Sequence, residues 1–145
     1  MRMSIEDRIK SIAERDKFKN YSFVCDDMKG IDRALSLSDL PAITEVLTEE
    51  GSLSFSKGLC KDKEKLIFAF IDKVDMDADG EDNKAVTSKM KSLAVSFISE
   101  IMKDSFFEVI NCEDIKYYPM YEEMADNLTG ISVYLEIKER VGTCV

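Results

Sequence analysis

Residues Leu66–Met102 read LIFAFIDKVDMDADGEDNKAVTSKMKSLAVSFISEIM, and this stretch decides the fold. It opens with a nearly continuous apolar run, Leu66–Val74, which is typical of a strand buried on both faces at the centre of a sheet. After a polar loop, apolar residues recur every three or four positions, which predicts a helix over Lys84–Met102 with Asp82 or Asn83 as its N-cap. Because such a helix must bury its apolar stripe, we expect it to cover the sheet.

The C-terminal third of the chain predicts an antiparallel hairpin. Between Ile131 and Lys138 apolar and polar residues alternate, so that one face of a strand is buried and the other is solvated. The segment Lys116–Met124 precedes this strand, and the turn between the two contains Asn127 and Gly130. Further strands are predicted at four shorter segments, which are Tyr21–Cys25, Ala42–Thr48, Leu53–Ser56 and Phe106–Ile110.

The N-terminal segment predicts a helix over Ser4–Lys17, with Ser4 as its N-cap. Ile5, Ile9 and Ile12 follow one another at spacings of four and three, which places them on one face of the helix. The apolar stripe is narrow, so we expect this helix to lie on a surface, either that of its own domain or that of a neighbouring molecule.

Together these segments predict a single α+β domain over residues 1–145. A mainly antiparallel sheet is covered by one long helix, with an N-terminal helix at the edge of the sheet. The segment Gly30–Asp39 is open between a helical turn and a loop. A chain of 145 residues has the usual size of one domain, and no repeat or linker marks a boundary in it.

Charge and composition exclude several classes of function. The formal net charge is −9 and the basic residues are scattered, so the surface repels the phosphates of a nucleic acid, although DNA can pass an acidic wall without sticking to it. The chain contains no histidine, so Ser-His and Cys-His nucleophile pairs cannot form, and its single glycines make no phosphate-binding loop. We therefore expect a protein that is not an enzyme and carries no cofactor. A serine–lysine or carboxylate hydrolase is the alternative that composition leaves open.

The cysteines and the N-terminus point to a reducing compartment. Cys25, Cys60, Cys112 and Cys144 are far apart and lack metal-site spacing, which favours buried or incidental free thiols. The segment Met1–Lys10 is charged throughout and has no apolar signal core. Apolar runs elsewhere are too short to cross a bilayer, so we expect no membrane contact and assembly in the cytoplasm.

One loop partly matches a calcium-binding pattern. Asp75, Asp77 and Asp79 alternate and are followed by Gly80, as in the opening half of a calcium loop. The twelfth position, where a glutamate should close the cage, is Val86. We favour a polar strand-to-helix loop with no metal, and a loose divalent site on the three aspartates is the alternative.

Two stretches carry a resemblance to a known group of proteins. They are Leu66–Met102, quoted above, and Tyr118–Glu139, which reads YPMYEEMADNLTGISVYLEIKE. The order of strand, acidic loop, long helix, strand and hairpin resembles small head-to-tail joining and tail-terminator-like virion proteins of tailed bacteriophages, of the crAss-like and Bacteroides prophage type. The resemblance covers about half of the chain, and its motifs are structural rather than catalytic.

The resemblance implies a structural virion protein of a head–tail connector or tail-completion ring. Copies of the chain would form a homo-oligomeric ring around the DNA channel at the tail or head–tail junction, next to portal, connector or tail proteins. DNA would pass nearby without specific binding. The alternative is a cytosolic, non-enzymatic protein-interaction module with a weak divalent-cation loop.

The predicted interface residues form two groups, one on the N-terminal helix and one on the hairpin. Tyrosine is favoured where one end of a side chain is dry and the other is wet, and a thin apolar stripe on a helix can dock on a neighbour. Packing within the chain's own core is the alternative for both groups. The residues are Ile5, Ile9, Ile12, Tyr117, Tyr118 and Tyr121.

Overall fold

Helices and strands alternate irregularly along the computed structural model, which describes residues 4–36, 39–74, 79–123 and 128–140. The fold is α+β with a mainly antiparallel sheet, as predicted. A 3-10 turn at Asp16–Phe18 follows the first helix. The elements in chain order are α1 (Ile5–Ala13), β1 (Ser22–Asp26), α2 (Met28–Ser36), β2 (Ala42–Val46), β3 (Gly51–Ser56), β4 (Leu59–Lys73), α3 (Gly80–Lys103), β5 (Phe107–Val109), β6 (Tyr117–Glu123) and β7 (Leu128–Glu139).

Two long antiparallel strands, β4 and β7, form the middle of the sheet, with Leu66 opposite Leu135. The outer edge of β4 pairs with β3 along its first half and with β2 along its second half, and β1 lies parallel to β2. The outer edge of β7 pairs with β6 and then with β5. The predicted central strand is therefore confirmed, and it is longer than expected because its first residues form a hairpin with β3.

One face of the sheet, called the helix face below, is covered by α1 and α3. Phe97 of α3 lies at the centre of this layer, with its ring 5.3 to 5.9 Å from the rings of Phe18, Phe68 and Phe70. The shorter helix α2 packs a second, smaller apolar cluster against the opposite face of β1 and β2. Among the described residues, no helix is both long and apolar enough to span a membrane.

The helix α3 begins about one turn before the predicted cap. Asp79 is the N-cap: its side chain accepts a hydrogen bond from the Asp82 backbone N–H at 2.9 Å, and the Asp79 N–H donates to the Asp82 carboxylate at 3.2 Å. The prediction of Asp82 or Asn83 was wrong because it followed the start of the apolar stripe. The first turn of this helix is polar, and reciprocal capping defines its start instead.

Gly130 lies within β7, and its predicted place in the turn is corrected. A Cβ atom at this position would lie 1.9 Å from the backbone oxygen of Phe70, so the two central strands can approach here only if the residue is glycine. The neighbouring Thr129 is fully buried and donates a hydrogen bond of 2.8 Å to the side-chain oxygen of Asn83. These contacts fix the start of α3 against the start of β7.

Candidate protein-interaction site

The three tyrosines predicted as interface residues lie on β6. Tyr117, Tyr118 and Tyr121 are 45%, 49% and 53% exposed, so packing in the chain's own core does not describe their surroundings. Tyr117 lies opposite Val133 on the helix face, whereas the ring of Tyr118 meets that of Tyr134 edge-on on the opposite face, with centroids 5.5 Å apart. Their role at an interface stays a prediction.

An apolar groove separates α3 from β6 on the helix face, and Tyr117 forms part of its wall. Its volume is about 320 Å3. Val95 is 62% exposed and Met102 is 38% exposed, so the groove is open to solvent along α3. Open apolar surface of this kind commonly marks a binding site for another molecule. The side chains that line it include Ala94, Val95, Ile98, Met102, Ile115 and Tyr117.

A polar compartment of about 570 Å3 adjoins this groove toward the start of α3. Lys91 stands between the two, because its ammonium group donates a hydrogen bond of 3.0 Å to the Tyr117 hydroxyl and lies 4.6 Å from the centre of that ring. The residues that line the polar compartment include Asn83, Thr87, Ser88, Pro119 and Tyr121. The α3–β6 surface therefore has an aliphatic half and a half that also presents polar side chains, with the Lys91–Tyr117 pair at their boundary.

The hairpin formed by β3 and the start of β4 presents apolar side chains to solvent. Leu53 is 60% exposed and Phe55 is 73% exposed, with serines between and beside them. The two turn residues, Lys57 and Gly58, have φ angles of 51° and 79°. Positive φ at both central residues is typical of a two-residue type I′ turn. Sequence reasoning predicted the strand but assigned it no role, although the uncharged alternation of serine and apolar residues was the signal.

The isoleucine stripe of α1 lies inside the chain. Ile5, Ile9 and Ile12 are 0% to 1% exposed and belong to the main apolar core together with side chains of α3 and the sheet. For these three, the alternative of ordinary core packing holds, so they offer no surface to a neighbour in this fold. The helix is capped by Ser4, as predicted, through a hydrogen bond of 3.1 Å from the backbone N–H of Asp7.

Buried carboxylates lie between α1 and the sheet. Glu45 is fully buried, and neither carboxylate oxygen has a hydrogen-bond partner among the residues that are described. Burial, and then the charge of Glu6 on α1, raise the pKa of Glu45 to about 8. Burial, and then a hydrogen bond to Glu6, raise the pKa of Glu64 to about 9. Both groups are therefore predominantly neutral acids at pH 7, and Glu45 is closed to any substrate in this conformation.

The signal for these buried acids is absent from the sequence, because Glu45 follows Thr44 in a strand whose polar residues show no regular alternation. Burial and Glu45 also raise the pKa of the neighbouring Cys25 thiol to about 12, so this thiol stays protonated and is a poor nucleophile. Asp79 caps α3, whereas Asp75 and Asp77 lie outside the described residues. Within the described ranges, no group of three acids, cysteines or histidines could hold a metal ion.

The cysteines differ from the expectation of four free thiols. Cys25 is partly buried and Cys112 is exposed, and both are free. Cys60 is buried and disulfide-bonded, so the prediction is wrong for this residue. Cys144 lies outside the described residues. Sequence spacing could not reveal the bond, because a disulfide requires two Cα atoms within about 7 Å in space rather than along the chain.

Comparison with known proteins adds no relative: no family model and no curated protein matches this chain.

Proposed function

We propose that this chain is a structural subunit of a homo-oligomeric ring. From the sequence resemblance, we further propose that the ring is a bacteriophage head–tail connector or tail-completion ring, with DNA passing through it and portal, connector or tail proteins as neighbours. The observation that carries the proposal of assembly is the exposed, uncharged strand β3, with Leu53 and Phe55 open to solvent.

An exposed edge strand favours association unless the chain protects it. Common protections are a charge, a proline or a bulge in the strand. At the other side of the sheet, β6 has two of these, because it contains Pro119 and its pairing with β7 is irregular between Met120 and Glu123. In contrast, Gly51–Ser56 contains no charged residue and no proline, and its pairing with β4 is regular. An unprotected edge supports a role in docking.

The charge of the chain is compatible with a ring that surrounds DNA. With a net charge of −9, the copies repel one another at long range, so short-range apolar contacts must hold them together. Salt screens such repulsion, with a screening length of about 10 Å at 0.1 M and about 3 Å at 1 M. We therefore expect assembly to strengthen as salt is raised, which is the opposite of an assembly held by ion pairs.

The test is the mass and shape of the purified chain over a range of concentrations, at low and high salt. Native mass spectrometry and negative-stain microscopy should show a closed ring, formed more readily at high salt. Phe55→Lys should weaken assembly by at least about tenfold. The matched control is Leu47→Lys, which adds the same charge at another exposed apolar residue (43% exposed) and should assemble like the parent. A parent that stays monomeric at every concentration and salt would refute the proposal.

A second candidate function is a protein-interaction module that works as a monomer. The α3–β6 groove favours it, because an apolar groove beside a helix can receive a segment of another protein. The same measurement separates the two functions. A monomer at high concentration supports this module, whereas a closed ring supports the virion protein.

A further inference from the structure

We propose that the ring interface is head-to-tail, with the side chains of Leu53 and Phe55 on one copy seated in the α3–β6 groove of the next copy. These two side chains are called the knob below. The inference rests on the proposed homo-oligomer and goes beyond it, because it names both halves of the interface on this one chain.

The knob and the groove match in chemistry. Phe55, at 73%, is the most exposed of the large apolar side chains in the described residues, and Leu53 projects from the same face of β3. The groove is lined on both walls by aliphatic side chains and closed at one end by the Lys91–Tyr117 pair. An aromatic anchor that fills an apolar pocket is the usual core of a strong protein interface.

The two halves lie where one copy cannot bring them together. The knob is on β3, beyond the outer edge of β4, whereas the groove lies beside β6, beyond the outer edge of β7. Because β4 and β7 are neighbours, the knob and the groove lie at opposite edges of the sheet. A copy that gives its knob to one neighbour therefore still offers its groove to another. Contacts of this kind generate closed rings or helical filaments.

Both halves also face the same way. Leu53 and Phe55 pair with Asp62 and Cys60 of β4. Every second residue of a strand points to the same face, so these two residues of β4 share the helix face with Leu66. The groove lies on the helix face too. Because the groove opens on the helix face and the knob projects from that face, one copy must be rotated until its knob points into the groove of the next copy. Each further contact repeats this rotation, as a heterologous interface requires.

Charge favours the same pairing. The nine residues of the hairpin tip, Leu53–Lys61, contain Lys57 and Lys61 and no acid, although the whole chain carries −9. The turn before β6, next to the groove residue Ile115, exposes Glu113, Asp114 and Lys116, which leaves this turn one net negative charge, whereas Lys91 lines the groove as a positive charge. Attraction to the two acids and repulsion from Lys91 orient the basic tip toward Ile115 before the apolar contact forms.

The test uses two variants, each of which blocks one half of the interface. Phe55→Lys removes the knob and keeps the groove, whereas Val95→Lys fills the groove and keeps the knob. Both positions are well exposed, so both variants should fold, which thermal melting checks. If the interface is head-to-tail, each variant alone is monomeric. Their equimolar mixture forms a one-to-one dimer that cannot grow, because only one knob and one groove remain.

Other arrangements give different results in the same experiment. If β3 pairs with β3 of a second copy, Val95→Lys assembles like the parent and the mixture forms no new dimer, which overturns the proposal. If the groove instead receives another protein, the purified parent still assembles, Val95→Lys assembles like the parent, and the mixture forms no new dimer. This result also overturns the proposal. A parent that never assembles refutes the proposed ring itself, so the two failures are distinguishable. Leu47→Lys, mixed with either variant, controls for the added charge.

Discussion

The apolar side chains of α1 and of β3 are similar in size, yet they have different surroundings. Ile5, Ile9 and Ile12 are at most 1% exposed, whereas Leu53 and Phe55 are 60% and 73% exposed. Both segments show a regular apolar period in the sequence. The period tells which side chains share a face, and it does not tell whether the rest of the chain covers that face.

The difference follows from the position of each segment in the fold. The helix α1 packs against α3 over the sheet, and Arg15 and Lys17 beyond it contact Glu100 of α3 at 3.2 and 3.0 Å. The strand β3 extends the first half of β4, and it packs against no helix among the larger contacts between elements. The chain therefore covers one apolar segment itself and leaves the other open to solvent.

The largest effect is expected from a truncation in α1. Ile9 is fully buried, so Ile9→Ala should lower the free energy of unfolding by about 2–5 kcal/mol, because the substitution removes buried methyl groups and leaves a cavity. Urea denaturation of the dilute protein measures this. Leu53→Ala is the matched control in β3 and should change stability by less than about 0.5 kcal/mol. Equal losses in the two variants would contradict the comparison.

The acids beneath α1 should make stability depend on pH. The pKa of Glu45 is raised from 4.5 to about 8 in the folded protein, so the folded state holds a proton that the unfolded state releases. This contribution is fully present below pH 4.5 and is lost as pH rises through 8. We expect Glu45 alone to lower the free energy of unfolding by about 2 kcal/mol between pH 6 and pH 8, and the raised pKa of Glu64 adds to this fall. The chain has no histidine, so no imidazole titrates in this window.

Glu45→Gln separates this effect from other sources of pH dependence. The amide has a similar shape and stays neutral, so the variant should gain stability over the parent at pH 8.5 and differ little from it at pH 5. Denaturation curves at the two pH values measure the difference. Glu50→Gln is the control, because Glu50 is exposed and pairs with Lys65. A Glu45→Gln variant that loses stability equally at both pH values would mean that the carboxyl group has a structural partner.

Much of the fold could be predicted because its central elements have unmistakable periods. The strand predicted at Leu66–Val74 forms the second half of β4, and the alternating segment Ile131–Lys138 lies in β7. The sequence of Gly30–Asp39 fits either a helical turn or a loop. It contains most of α2, whose start is defined by a hydrogen bond of 2.7 Å from the Gly30 N–H to the side chain of Asp27. Capping contacts are local, and an apolar pattern does not report them.

The candidate site was less predictable, because it depends on which segments meet in space. The sequence predicted Tyr117, Tyr118 and Tyr121 as interface residues, but only Tyr117 lines the groove, which also needs Val95 of α3. The period of a helix shows one apolar stripe and does not show where that stripe extends past the edge of the sheet. The same limit hid Glu45, because the pattern of a strand does not show which of its side chains the rest of the chain buries.

The smallest effect on stability is expected in β3, and it sharpens the comparison most. Phe55→Ser should change the free energy of unfolding of the dilute monomer by less than about 0.5 kcal/mol, because a residue that is 73% exposed loses little packing. At high concentration the same variant should be less stable than the parent, because assembly stabilises the folded state by mass action. Melting curves at two concentrations measure both effects. A loss above about 1.5 kcal/mol in the dilute protein would mean that Phe55 already packs within its own chain, and β3 would then resemble α1 after all.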